Sequence, residues 1–329
     1  MRNDEIKMHW FKGDTHIHTS NSDGALHLYE LIDKLKGAGL DWAIITDHNY
    51  DTVKETYSSD GLTIIKGQEV TTDLGHINTW GGPVGVEMPY KLETEEDAID
   101  LINKTKEKGT LVCLNHPFCS QCGFTTTIDN YDADCVEVWN TIQHSDNAKN
   151  MKWWHGQLLK GRRIPAVGGS DYHKDEVGLP IIAMPTTVIY SKTNEEKDVL
   201  DALKSGRSYI TNSPNSSEMY LTIGKANVGD EVELNNMEWG EIKVTKLPPF
   251  FTLRVYNNDK IVYEHQAKKY EKTHSGTFVI KEKGFVRAEI DYNTTKIKKI
   301  LSFAENKFIH CNETADMLFW AFTNPIWIV

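Results

Sequence analysis

Between residues 9 and 173 the chain repeats one arrangement. An apolar run of strand length stops, and a histidine or a carboxylate stands where it stops. Trp10-Phe11 leads into Gly-Asp-Thr-His16-Ile-His18. Trp42-Ala-Ile-Ile leads to Thr-Asp47-His48, and Leu62-Thr-Ile-Ile to Gly67-Gln-Glu69. Thr110-Leu-Val-Cys-Leu leads to Asn115-His116-Pro, and Ile164-Pro-Ala-Val-Gly-Gly to Ser170-Asp171-Tyr-His173. Gly75-His76-Ile-Asn78 opens a further short β-like stretch. In barrels of parallel strands the site gathers at the C-terminal strand ends. Packing alone does not account for nine such residues there: His16, His18, Asp23, His48, Glu69, His76, His116, Asp171 and His173.

His16 and His18 stand two apart, so a strand ending here presents both imidazoles on one face. Asp23 follows in a loop of Ser, Asn and Gly from which its carboxylate can fold back over the same place. Strands are expected at 9–18, 42–46, 62–66, 111–115, 135–139, 166–169 and 183–190, with an irregular hairpin over 70–80. Helical spacing predicts helices over 25–40, 95–108 (Thr94 as N-cap), 146–160 and 194–204. This alternation is the pattern of an α/β barrel or an open parallel sheet. Residues 119–130 read as a loop, a candidate lid.

After Gly206 the pattern changes. Residues 208–214 read as a passage between domains. Short alternating runs with turn signals such as Asn257-Asn258-Asp259 follow, and they predict a small antiparallel β-sandwich. The expected division is 1–212 for a barrel and 213–329 for the β domain.

Composition narrows the function classes. A formal charge of −11 over 329 residues argues against broad nucleic-acid or anionic-membrane binding. No apolar run reaches membrane-spanning length. The first residues, Met-Arg-Asn-Asp-Glu-Ile-Lys, lack the apolar core of a secretory signal, so a cytoplasmic location is expected. Five scattered cysteines suggest reduced thiols rather than a disulfide framework. Cys119-Ser-Gln-Cys122 has no second pair with which to build a four-cysteine zinc site. It reads as two thiols in a loop beside His116, with a redox-labile pair over the site as the other reading.

The series His16-x-His18, Asp23, Thr-Asp-His48, Gly-x-Glu69, Gly-His76, Asn-His116-Pro and Asp171-x-His173 resembles the PHP (polymerase and histidinol phosphatase) superfamily in order and rough spacing. The tail ending Thr323-Asn-Pro-Ile-Trp327 resembles the stand-alone PHP hydrolases related to the carbaryl hydrolase CehA and to McbA. The resemblance implies an α/β fold, a distorted seven-stranded (TIM-like) β/α barrel, with two or three divalent ions (Zn, Mn or Fe, with Mg less expected). It places His16, His18, Glu69 and Asp171 around one ion. Glu69, His76 and His116 surround a second, with Glu69 bridging. Asp23, His48 and His173 surround a third. Some members carry His where Asp23 stands. A harder, anionic ligand there favours Mn²⁺ or Mg²⁺ at the third position, or leaves it empty.

The chemistry can be argued without the family. Mixed imidazole and carboxylate ligands suit Zn²⁺, Mn²⁺ or Fe²⁺. A bridging carboxylate holds two ions roughly 3.5–4 Å apart, and a water between them becomes a nucleophile near neutral pH. The first expectation is a phosphoesterase acting on a small phosphate ester, a nucleotide among the candidates, with Asp171, His173 and Asp23 in catalytic roles. The second is a carboxylic ester, carbamate or amide hydrolase. The third is a metal-containing binding module without catalysis. Asp47 is expected to be structural, Asn49 and Asn115 to line the pocket, and Asn140, Tyr172 and Arg207 are candidates to reach a substrate. His9, His27, His144, His155, His265, His274 and His310 are given no role.

Overall fold

The computed structural model describes residues 7–141, 145–175, 180–293 and 317–329. His144, Lys296–Lys299, His310 and Cys311 lie outside the described residues. In the first part strands and helices alternate in this order: β1 (His9–Asp14), α1 (Leu28–Ala38), β2 (Trp42–Ile45), β3 (Tyr57–Ser59), β4 (Leu62–Thr72) and β5 (Gly75–Trp80). Then come α2 (Glu95–Glu107), β6 (Leu111–Leu114), β7 (Cys135–Asn140), α3 (Ser145–Leu159), β8 (Ala166–Gly169), β9 (Thr186–Ser191), α4 (Glu196–Lys204) and β10 (Ser208–Thr211).

All four residues of β2 are buried, and it lies between β1 and β4 with both pairings parallel. An uninterrupted apolar strand needs such cover on both faces. The order β1-β2-β4-β5-β6-β7-β8 is continuous. Because β5 is antiparallel to both neighbours, β4 and β6 run the same way. The sheet curls until the end of β8 meets the end of β1. There Ile17 bridges Tyr172 in parallel, His18 N donates to Tyr172 O at 3.0 Å, and Thr15 Oγ1 donates to Gly168 O at 3.2 Å. Gly169 makes the approach possible, since a Cβ there would sit 2.5 Å from both Glu137 Oε1 and His16 Cβ.

On the inner face Trp42, Ile65, Trp80, Cys113, Cys135 and Val167 pack with Val199, Ala202 and Leu203 of α4 into an apolar floor. Strand alternation puts the residues two steps further along on the same face, one layer higher. That layer includes Glu137 after Cys135 and Gly169 after Val167. α1 begins at Leu28 rather than Ala25 because the Glu30 carboxylate turns back to accept the His27 N–H at 2.9 Å. Thr94 caps α2 as expected, accepting from Asp97 N at 3.2 Å.

The remaining strands are β11 (Glu218–Ile223), β12 (Ala226–Asn227), β13 (Glu231–Val232), β14 (Glu238–Thr245), β15 (Thr252–Asn257), β16 (Lys260–Gln266), β17 (Thr273–Ile280), β18 (Gly284–Asn293), β19 (Met317–Thr323) and β20 (Ile326–Ile328). A four-stranded sheet, β12-β11-β14-β17, faces strands β15 and β18 across one apolar core. The rest of the tail extends the first sheet itself: β10 bonds β9 on one side and β19 on the other. The segment expected to be a passage between domains is therefore, over 208–211, a fully buried strand. Its Ser-Tyr-Ile-Thr sequence is β-prone, and both of its edges find partners. Further along, Asn324 acts as a side-chain substitute for a strand against β8. Its Oδ1 accepts Ala166 N–H at 2.8 Å, and its Nδ2 donates to Ala166 O at 2.8 Å and to Ser208 Oγ at 2.8 Å. Among the described residues no helix is long and apolar enough to cross a membrane.

Candidate metal centre

The nine expected ligands converge at one end of the curled sheet, above the apolar floor. Glu69, near the C-terminal end of the long strand β4, is at the centre. Its Oε1 lies 3.3 Å from His16 Nε2, 3.1 Å from His76 Nδ1 and 3.4 Å from His116 Nε2. Its Oε2 lies 2.9 Å from His48 Nδ1 and 3.5 Å from His18 Nε2. Asp171 Oδ1 is 3.3 Å from His16 Nε2 and 3.0 Å from His18 Nε2. At the mouth Asp23, with its side chain 56% exposed, lies 3.2 Å from His173 Nε2 and 3.5 Å from His48 Nε2. His16, His18, Asp23, His48, Glu69 and His173 thus fall into two groups that share His18, each close enough to share a cation.

The backbone contributes as well. His116 and Asp171 hold φ of 25° and 49°, in the left-handed region that non-glycine residues rarely occupy. The turn at each strand end thereby aims a ligand inward, and such strain persists where the surroundings enforce it.

Burial and charge oppose each other here, and charge wins. Burial pushes Glu69 and Asp171 up, but His16 beside both, with hydrogen bonds from neighbouring imidazoles, holds each well below the usual carboxylate range. Burial pushes His16 down, yet Asp171, Glu69 and Glu137 carry it well above an ordinary histidine. His116 is raised to about 9 against the same burial, chiefly by Glu69. His18 goes the other way, because burial dominates.

The fit to divalent cations rests on three orphaned atoms. His16 Nε2, His18 Nδ1 and Glu69 Oε2 are buried without a hydrogen-bond partner among the described residues. Buried polar atoms are ordinarily paired, because leaving one unpaired costs about 1–3 kcal/mol. Imidazole nitrogens and a carboxylate oxygen are donors that suit a borderline divalent ion.

Four further residues at the centre have different histories in the sequence. Glu137, in the middle of the otherwise apolar Cys-Val-Glu-Val-Trp strand, was not among the expected ligands. Its Oε1 faces His16 Nδ1 at 3.0 Å, and its Oε2 accepts His116 N–H at 3.0 Å and Asn140 Nδ2 at 3.0 Å. A lone carboxylate inside an apolar strand was the signal. Asn115 donates to Glu69 Oε1 at 2.8 Å, and Asn140 reaches Asp171 Oδ2 at 3.3 Å, so both side chains stand beside the expected ligands. Cys122 brings its Sγ to 3.6 Å from His116 Nδ1 and to 2.9 Å from Cys119 Sγ.

Other candidates are placed elsewhere. Tyr172 is buried in the core against α1 and hydrogen-bonds Asp175 at 3.2 Å, so it does not face a substrate. Its neighbour Asp171 takes the inward position, and strand alternation sends Tyr172 outward. Arg207 is level with Trp10, since both join Tyr190 through backbone pairing. That is the far end of β1, about 20 Å from His16 at ~3.3 Å per residue. Asn49 exchanges hydrogen bonds with the backbone of Thr71 and pins β4 rather than lining the pocket. Asp47 is structural, as expected: it accepts from Thr19 N at 2.7 Å, Thr19 Oγ1 at 2.6 Å and Ser22 Oγ at 2.5 Å, and also from Thr52. Among the described residues every ion pair of Asp23, Glu69, Glu137 and Asp171 is with a histidine.

No family model matches the chain, and no curated protein matches it. Among solved structures it is similar to a Bacteroides vulgatus two-domain protein described as containing a predicted PHP-like metal-dependent phosphoesterase. The TM-score is 0.51 at 17% identity, covering 95% of each chain. A lesion-specific endonuclease from Pyrococcus furiosus aligns at TM-score 0.45 and 16% identity, over 62% of this chain and 58% of that one. An amidohydrolase from Chromobacterium violaceum aligns at 0.34 and 14%, over 51% and 92%. Only the first likeness is close enough to carry weight, and what it establishes is a shared fold along nearly the whole of both chains.

Proposed function

We propose that the protein is a metal-dependent phosphoesterase that hydrolyses a small phosphate mono- or diester, nucleotides included, at a centre of two or three divalent ions (Zn, Mn or Fe). The observation that carries the reading is the meeting of His16, His18 and Glu69, each with one buried, unpaired polar atom, within cation-sharing distance at the end of a curled sheet. His16, His18, Glu69 and Asp171 would hold one ion, Glu69, His76 and His116 a second, and Asp23, His48 and His173 a third. Bound there, the ions would supply an activated water and neutralise charge on the ester oxygens.

The chain's own residues do the rest. Glu69 spans the first two groups and keeps them in register. Glu137 receives the Nδ1–H of His16, which turns the Nε2 lone pair toward Glu69 and Asp171. Asp171 steadies both His16 and His18. His173 donates its Nδ1–H to the Asp171 carbonyl at 2.8 Å, leaving Nε2 free beside Asp23 at the open mouth. Where the third ion is absent, Asp23 and His173 are placed to exchange a proton with a bound ester, and with Asp171 they are the proposed catalytic residues. The proposal extends to a distorted seven-stranded barrel formed by β1, β2, β4, β5, β6, β7 and β8 within residues 1–212. It also covers a β-sandwich over 213–329, kinship with the CehA and McbA hydrolases, and action in the cytoplasm.

One observation favours a second reading. Among the described residues no lysine or arginine forms an ion pair with Asp23, Glu69, Glu137 or Asp171, as one poised beside a phosphoryl group could. A carboxylic ester, carbamate or amide substrate would not need one. The test is hydrolysis by protein reconstituted with Mn²⁺ or Zn²⁺, using phosphate mono- and diesters beside carboxyl esters and carbamates, with Asp171→Asn as control. Turnover of phosphate esters that the control lacks supports the proposal. Turnover of carboxyl esters or carbamates alone moves the protein to the second reading, and silence with metal bound leaves a binding role.

A further inference from the structure

Two histidines given no role by their sequence context meet in the tail. His265, the next-to-last residue of β16, belongs to the large sheet, and His274, the second of β17, belongs to the small one. The link 267–272 crosses between the sheets and carries Glu271. His265 Nε2 lies 3.0 Å from each Glu271 oxygen, and His274 Nδ1 lies 2.8 Å from Oε1. The two imidazoles stack with centroids 3.5 Å apart and planes within 5°. All three side chains keep some exposure, 16–20%, so a fourth position is open to water.

We propose that His265, Glu271 and His274 form a second, separate site for a borderline divalent cation, Zn²⁺ foremost, that clips the crossing between the two sheets. Two features carry this. First, two nitrogens and a carboxylate oxygen converge within 4.8 Å of one another. Ligands about 2.0–2.1 Å from a tetrahedral zinc stand about 3.3 Å from each other, so the carboxylate–imidazole separations open by only a few tenths of an ångström, while the two rings turn out of their parallel stack to aim both nitrogens at one ion.

Second, the remote nitrogen of His274 is already held: Nε2 lies 2.6 Å from Tyr263 Oη. With Nε2–H donated to that oxygen, the Nδ1 lone pair faces the carboxylate. This is how metal-ligating histidines are usually oriented. Lys268 N–H fixes the other carboxylate oxygen at 3.1 Å.

The experiment uses the full chain and Zn²⁺ alone. After dialysis against buffered Zn²⁺, bound metal is counted for the wild type, Glu271→Gln, the double variant His265→Ala/His274→Ala, and Asp171→Asn. Circular dichroism of the metal-free proteins verifies folding. Both tail variants are expected to lose one equivalent of zinc, and Asp171→Asn to keep that equivalent while losing metal from the barrel end. Zinc should raise the melting temperature of Asp171→Asn but raise it less when Glu271→Gln is added. The same zinc content in the wild type and a folded Glu271→Gln protein overturns the proposal, whether or not the barrel site proves to be a hydrolase.

Discussion

Glu137→Gln tests how the centre is oriented. The substitution keeps shape and removes charge at a side chain that is 1% exposed. Glu137 Oε2 already accepts two donors, His116 N–H and Asn140 Nδ2, so the glutamine must keep its oxygen on that side. Its NH₂ then faces His16 Nδ1, which can answer only as an acceptor. The ring proton of His16 moves to Nε2, where the lone pair directed at Glu69 and Asp171 had been. The opposite flip would break two hydrogen bonds and leave buried donors facing an NH₂, at about 1–3 kcal/mol each.

In the orientation that keeps both of those hydrogen bonds, His16 is impaired as a ligand. Losing the outer partner of a ligating histidine typically weakens metal binding about 10–100-fold, which is about 1.4–2.7 kcal/mol at 1.36 kcal/mol per decade. The assay is competition against a chromogenic chelator, with a melt of the metal-free protein to verify the fold. Affinity within about twofold of wild type in a folded Glu137→Gln protein would refute the tautomer argument.

Three other outcomes are expected. Asn324→Ala strips both backbone groups of Ala166 of their partner, and at about 1–3 kcal/mol per unpaired buried group a urea melt should show a loss of about 2–6 kcal/mol; a loss under about 0.5 kcal/mol would mean that water replaces the amide. His155 accepts Arg287 Nε–H at 3.1 Å, and burial, then Arg287, lowers it from 6.5 to about 4. Below pH 6.5 the unfolded chain takes a proton that the fold refuses, so stability is full above 6.5 and declines until about pH 4. At full weight that is about 3 kcal/mol, and partial exposure reduces it to about 1–2 kcal/mol. His155→Gln should flatten the decline relative to wild type, and parallel pH curves would contradict it. Finally, a hydrogen bond from Cys122 lowers the Cys119 thiol to about 5, while burial raises Cys113 and Cys135. Iodoacetamide at neutral pH should label Cys119 first, and peptide mapping that finds Cys113 or Cys135 modified earlier would reverse the assignment.

The sequence alone determined the ingredients of the centre at the end of the curled sheet. An apolar run followed by a histidine or acid is a local pattern, and strand periodicity converts it into an inward-facing ligand without reference to the rest of the chain. That is why His16, His18, Glu69, His116 and Asp171 were legible, and why Asp47 could be read as structural. Only the tertiary structure decided which side chains complete the set. Glu137 lies within a strand, and it faces His16 because β8 and β1 close the sheet around it. Arg207 and Asn140 looked equally eligible in sequence, and the strand register separated them to opposite ends. The passage at 208–211 became a buried strand because β19, more than a hundred residues later, supplies its second edge. His265 and His274 belong to different sheets, and their meeting over Glu271 depends on how those sheets pack. Period and turn chemistry act over a few residues and are written in the local sequence; register and sheet packing are set by the free energy of the whole core, which no short stretch carries.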